Sequence, residues 1–387
     1  MRILVVACRF PEAGGKGDAL RAFAFVRELA LRHDVTVVTT SPPPSGKAEA
    51  ALREYAAVEV RPVRVVERVL GAAEAALRGR PGQVGWMMPR TSWAGVLELA
   101  SGHDVALIVT VRSIAGPLGI PTVLDHIDAL SLNMRRRADG PESLPRRLAA
   151  RCEALTLARY ERRAAGWADA QVVTAREDAG RLPARPAVTV IPAAWDGTIA
   201  GVDGTDRDID VIFTGDMAYP PNRVAAEWLA YEIVPALRRR RPEARVVVVG
   251  RGAARLRLSG VEVASDVPSL ADYLARARVA VVPLRGLGTG SPNKLLEAAS
   301  SGAAVVATSW AGARFEVPCL VADDAEEFAA GIDRLLGDDA GRDDLARRAR
   351  RALEDYSAAR TVMRLEAVLA GAAGVKSDER SVGRPTG

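Results

Sequence analysis

The sequence predicts an α/β protein built from two doubly wound domains. Three observations carry this. Short apolar runs rich in Val and Ile alternate with segments of helical periodicity, as in parallel sheets joined by crossover helices. The alternation breaks over residues 196–209 and then starts again. The chain has 387 residues, a length that suits two domains.

The elements follow in order. ILVVA (3–7) is the first strand. A Gly-rich loop leads from it into a helix over 19–32, with Leu20, Phe23, Val26 and Leu29 at helical spacing. Strands follow at 34–40, 104–110, 121–128, 170–175 and 188–193. None alternates strictly, which is how strands buried on both faces read. DGTIAGVDGTDRDI (196–209) is rich in Gly, Asp and Thr and reads as a linker. The second series of strands is expected at 210–215, 244–250, 261–265, 279–285, 303–309 and 319–323. Helices fall near 221–240, 269–277, 292–301, 325–336 and 341–355. A last helix near 358–371 has no strand after it, and the tail reads as disordered. The boundaries are therefore 1–195, a linker at 196–209, 210–357, a closing helix at 358–372 and a tail at 373–387. Ligands of doubly wound sheets bind beyond the carboxyl ends of the strands, so a central cleft between the two domains is expected.

Composition narrows the function classes. Hydrophobic residues make up 49%, ample for two cores, and the net charge is a modest +5. Aromatics are 5% and no aromatic-plus-basic repeat appears, which argues against nucleic acid as a partner. Cys8, Cys152 and Cys319 lie far apart and suggest a reducing, cytoplasmic location. His33, His103 and His126 are too scattered for a metal site, so no metal and no cofactor are expected. MRILVVACRF is too short and too soon charged for a signal peptide, and no apolar run is long enough to span a bilayer. The basic stretch 135–163 reads either as a solvated helix face or as a contact to an anionic membrane or acceptor, which would place the chain at the inner face of the membrane.

The most informative stretch is GTGSPNKLLEAASSG (288–302). Ser291 suits a helix N-cap and Pro292 the first helical position, which makes Lys294 the third. A cation there opposes the helix dipole, a cost of about 0.3–1 kcal/mol. A bound anion reverses that sign, because free N–H groups at a helix start and a Gly-rich loop make an anion site. Glu297 lies on the same helix face as Lys294, so a solvated Lys–Glu pair is the plainer alternative. Dinucleotide and P-loop schemes do not fit: CRFPEAGGKGDALR holds neither GxGxxG nor GxxxxGK[ST]. Gly14, Gly15 and Gly17 form a plain turn or let the backbone approach a phosphate or sugar.

Three stretches together resemble the GT-B glycosyltransferases of the large retaining family 4, also called group 1. They are RFPEAGGKGDALRAFAFVRELALRHDVTVV (9–38), FTGDMAYPPNRVAAEWLAYEIVPALRRRRPEARVVVVG (213–250) and DYLARARVAVVPLRGLGTGSPNKLLEAASSGAAVVAT (272–308). The resemblance implies a hexosyl transfer from a nucleoside diphosphate sugar to an acceptor hydroxyl on a polysaccharide, a lipid-linked glycan or a small natural product. It implies that Lys294, assisted by Arg285, neutralises the diphosphate, with backbone N–H groups of Gly288, Thr289, Gly290 and Ser291. Glu297 would hold the ribose hydroxyls. Gly215 and Asp216 would lie beneath the sugar phosphates. Gly250 is a turn or a wall of the base pocket, and Val267 marks the backbone that reads the base. Gly15 would approach the donor from the first domain. Asp128 is the preferred first-domain contact to the sugar or acceptor, and His126 is either a contact or structural. Three departures stand out. Thr289 replaces the first of two glutamates eight residues apart, Arg223 has no lysine beside it, and AAWD (193–196) replaces an Asn-Gly. A sugar-nucleotide epimerase and a noncatalytic sugar- or membrane-binding subunit are the alternatives.

Overall fold

The computed structural model describes residues 1–13, 17–140, 143–195, 206–286 and 293–382, with side chains as far as residue 374. The chain forms two units, Met1–Ala194 with Ala358–Gly387, and Trp195–Ser357.

The first unit opens with β1 (Arg2–Ala7), α1 (Gly17–Leu29) and β2 (Asp34–Thr39). Next come α2 (Gly46–Arg53), β3 (Ala57–Val60), α3 (Val65–Leu77), α4 (Gly82–Met87) and α5 (Arg90–Ala100). Then follow β4 (Val105–Val109), β5 (Thr122–Ile127), α6 (Leu130–Asp139), α7 (Leu144–Ala165), β6 (Ala170–Val173), α8 (Arg176–Ala179) and β7 (Val188–Val190). The sheet order is β3-β2-β1-β4-β5-β6-β7, with every pairing parallel. The order reverses between β1 and β4, the switch point of a doubly wound sheet.

The second unit runs β8 (Ile209–Thr214), α9 (Pro220–Trp228), α10 (Val234–Arg238), β9 (Val246–Val249), β10 (Glu262–Ala264) and α11 (Leu270–Ala275). It continues with β11 (Ala277–Val282), α12 (Asn293–Ser300), β12 (Ala304–Ala307), α13 (Ser309–Gly312), β13 (Leu320–Val321), α14 (Ala325–Gly337) and α15 (Asp339–Ala352). Its sheet order is β10-β9-β8-β11-β12-β13, again all parallel, with the switch point between β8 and β11. The helix expected over 221–240 is interrupted by a π-helical turn, Leu229–Ile233, just before Pro235, which has no N–H to donate.

The last helix, α16 (Ala358–Val382), belongs to the first unit. It extends past residue 372, where a disordered tail was expected; no proline occurs before Pro385, and Ala372 and Ala373 are good helix formers. Val362, Leu365 and Leu369 enter the same core as Ile3, Val5 and Phe25. Glu366 anchors the helix by bonds of 2.7 Å to both Arg32 and His33, which hold its carboxyl below the usual range. Of the linker expected at 196–209, residues 196–205 lie outside the described residues, and β8 begins at Ile209 rather than 210.

Charge also enters the first core. Arg21 of α1 is buried, and its Nε donates to Asp125 of β5 at 2.7 Å. Its other nitrogens donate to the carbonyls of Pro192 (2.8 Å) and Ile191 (3.0 Å), and its guanidinium stacks 4.4 Å from the Phe25 ring. Asp125 Oδ1 accepts the Ile127 N–H at 3.0 Å, next to the left-handed φ of +65° at Ile127. One guanidinium thus joins a helix, a central strand and the segment after β7. Arg21→Met is expected to cost about 3–5 kcal/mol in urea denaturation, because a buried carboxylate is left unpaired. Arg2→Met, in the exposed Arg2–Asp104 pair, should cost no more than about 1 kcal/mol. Equal losses would refute the role given to Arg21.

Candidate functional site

The second unit holds a pocket of about 510 Å³ at the carboxyl ends of β8 and β9, near its switch point. Such a volume suits a small-molecule site. Its floor is backbone. Gly215 follows β8, and Gly250 follows β9 with a φ of +149°. A Cβ on Gly250 would sit 1.8 Å from the Gly215 carbonyl oxygen, so this glycine is required by the close approach of two strand ends. A Cβ on Gly215 would press on Asn222, 3.1 Å away, whose side-chain amide donates to the Asp216 carbonyl at 2.8 Å.

Above this floor stands α12. Leu295, Leu296, Ala298 and Ala299 are buried in the unit's core, which turns Lys294 and Glu297, three residues apart, into the pocket. Burial lowers the pKa of Lys294 from the usual lysine value, and the carboxylates of Glu297 and Asp216 partly offset this. Asp216 is also held by its own turn. Its Oδ1 accepts the Ala218 N–H at 2.9 Å, and Arg251 lies 3.4 Å from Oδ2. Val267 lines the opposite wall beside Asp266, whose φ of +54° is left-handed. The structure therefore brings together Gly215, Asp216, Gly250, Val267, Lys294 and Glu297.

Other expected residues fall elsewhere. Arg285 is exposed and stacked on Trp228, its guanidinium carbon 4.1 Å from the ring centroid. That cation–π contact holds it out of the pocket lining. Arg223 is exposed on α9 and also outside the lining. Gly15, Gly288, Thr289, Gly290 and Ser291 lie outside the described residues.

In the first unit, His126 requires correction. It is fully buried in β5, with Nε2 3.0 Å from Gln171 Oε1. The Gln171 amide donates to the carbonyls of Pro183 (2.9 Å) and Pro186 (2.7 Å), so its Oε1 must accept and His126 Nε2 carries the proton. Nδ1 is buried without a partner among the described residues, and burial pushes the pKa down to about 4. His126 is a neutral core group. Asp128 stays partly exposed just past β5, within 3.4 Å of the Asn133 amide.

The sequence reading missed Glu161. This buried α7 residue caps α6, accepting from Ser131 N–H at 3.0 Å and Ser131 Oγ–H at 2.6 Å. Burial raises its pKa to about 7 against these bonds, and Asp128 adds to the rise. The expected basic contact at 135–163 is partly spent internally: Arg136 pairs with Glu177, and Arg147 donates to the Ala138 carbonyl. Among the described residues no group of His, Cys, Asp and Glu could hold a metal ion, and no helix is long and apolar enough to cross a membrane.

Residues 208–338 match the family of glycosyl transferases group 1. The matched stretch takes up most of the second unit, Trp195–Ser357. The whole chain shares its fold with HepE of Anabaena, crystallised with UDP, at a TM-score of 0.63 and 14% identity over 96% of this chain and 99% of that one. A glycosyltransferase of Rickettsia africae follows at 0.59, 10% identity, 96% and 98%. An α,α-trehalose 6-phosphate synthase of Burkholderia multivorans gives 0.57, 14% identity, and 99% of both chains. No curated protein sequence matches the chain. These likenesses show the fold, which is GT-B, as the sequence resemblance implied.

Two outcomes follow from the geometry. Gly250→Ala should destabilise the second unit and abolish ligand binding at the pocket, seen as a lowered melting temperature; a variant as stable as the parent would contradict the close approach. Glu161→Gln tests the buried carboxyl. The folded protein keeps the Glu161 proton up to about pH 7, whereas the unfolded chain loses it near 4.5. Stability from this group is full below pH 4.5 and falls by about 3 kcal/mol as pH rises through 7. His126 acts oppositely, losing stability as pH falls from 6.5 to 4. Denaturation midpoints at pH 5 and pH 8 should therefore favour Glu161→Gln over the parent more strongly at pH 8.

Proposed function

We propose that the protein is a retaining glycosyltransferase that moves a hexosyl unit from a nucleoside diphosphate sugar to an acceptor hydroxyl. The observation that carries this is Lys294 and Glu297 side by side over the Gly215–Gly250 floor. The lysine charge is placed to meet the diphosphate, and the low-dielectric surroundings that lower its pKa also strengthen its hold on an anion. Bound phosphate in turn favours the protonated amine. Glu297 accepts two parallel hydrogen bonds from the ribose diol, a fit a carboxylate makes well. Gly215 lets the sugar phosphates approach the backbone. The UDP bound to HepE supports a nucleoside diphosphate as the donor.

The reaction then needs little covalent chemistry from the chain. The bond from the anomeric carbon to the phosphate oxygen breaks as the charge on the departing diphosphate grows. The acceptor oxygen forms its bond on the same face, and its proton passes to the leaving phosphate oxygen. Lys294 stabilises the departing charge without a metal ion. Asp128, on the first unit, is the side chain assigned to the sugar or acceptor.

Calorimetric titration of UDP, GDP and dTDP into the parent and Lys294→Ala tests the donor site. One nucleotide is expected to bind, and the variant should bind it about 10- to 100-fold more weakly. The parent's affinity should fall as pH rises through the lowered Lys294 pKa, while the variant shows no such fall. Absence of binding by all three nucleotides would overturn the reading.

A further inference from the structure

Helix α3 is built inside out. Seven of its residues are exposed and all seven are apolar: Val65, Val66, Val69, Leu70 and Leu77, with two alanines. Leu77 is 90% exposed, Val65 70% and Leu70 64%. The inward face holds Gly71 and Ala75. A Cβ on Gly71 would lie 2.3 Å from the Gly85 carbonyl oxygen of α4, so the small face is fixed against its neighbour and the helix cannot turn over. A water-facing helix ordinarily shows the reverse pattern. A continuous apolar face of this kind marks a binding surface.

The charge around it states what binds. Residues 61–90 contain six arginines and two glutamates, a surplus of four positive charges. Arg64 and Arg78 flank the helix ends, in exposed ion pairs of 3.7 and 3.3 Å with Glu67 and Glu74. Trp86, on α4, is 41% exposed, and its carbonyl takes a bond of 3.1 Å from Arg68. Apolar residues with an arginine at each end of the helix, and an exposed tryptophan on the neighbouring helix, suit the interface of an anionic bilayer. A second copy suits it poorly, because a two-fold contact would set one arginine surplus against another. The helix has 13 residues, about 20 Å in length, too short to span a bilayer and long enough to lie on one.

We propose that α3 docks the protein on an anionic lipid surface, its Val and Leu side chains entering the acyl boundary and Arg64 and Arg78 meeting the headgroups. The apolar face is carried by α3 and not by the basic stretch 135–163, and the proposal does not rest on the donor-site reading. The test is co-sedimentation of the full chain with vesicles of phosphatidylcholine alone and of phosphatidylcholine with phosphatidylglycerol. The parent should bind the anionic vesicles, with binding weakened by salt. Val66→Ser/Leu70→Ser/Leu77→Ser should bind at least about tenfold less, with unchanged denaturation and nucleotide binding, because the three side chains are exposed. Arg64→Gln/Arg78→Gln should lose the preference for anionic vesicles. The proposal is overturned if the parent stays in the supernatant or if the triple variant sediments like the parent. It is equally overturned if the parent is a dimer that the triple variant breaks.

Discussion

Every strand pairing in both sheets is parallel. A parallel neighbour cannot be reached by a tight hairpin, so each connection must cross back outside the sheet. Both faces of the inner strands are then covered, and these strands are largely apolar: VVVV of β9 is buried at every position. The same constraint sends all the carboxyl ends to one edge. At the switch point the connecting helices diverge, and the edge opens. Gly215, Gly250 and the start of α12 meet near that opening because the topology leaves them nowhere else to meet.

The two units handle buried charge differently. In the first, Arg21 and Asp125 satisfy each other and two backbone carbonyls, and His126 has given up its charge altogether. These groups are spent on holding α1, β5 and β6 in place. In the second, Lys294 faces two carboxylates that reduce the penalty of burial without removing it. A cation kept in such surroundings is a poor stabiliser of the apo fold and a good partner for an anion.

The strands were legible because burial on both faces leaves an unbroken apolar run. Lys294 stood out because a lysine at a helix start contradicts the dipole, and Glu297 because it lies three residues on, on the same face. Other features were hidden for physical reasons. Residues 45–100 gave no clear elements: β3 has four residues, and α3 exposes the side chains that periodicity would assign to a core. Arg21 was passed over because a charged residue on a helix ordinarily faces water; its place one turn before Phe25, on the buried side, was the available signal. Glu161 was read as part of a basic run, although it continues the stripe of Ala150, Ala154 and Leu157 at helical spacing. His126 lies inside a strand covered on both faces, which buries it whichever face it takes.

The helix α16 belongs to the first unit but follows the second unit in the chain. The second unit is thus an insertion between β7 and α16. On the ribosome, residues 195–357 are complete while the first unit still lacks Val362, Leu365 and Leu369, which fill its core beside Phe25. The usual order of synthesis, N-terminal domain first, is reversed for the final packing step. The nascent first unit must carry an uncovered apolar face until α16 is made, and a chain stopped at 357 keeps that face for good.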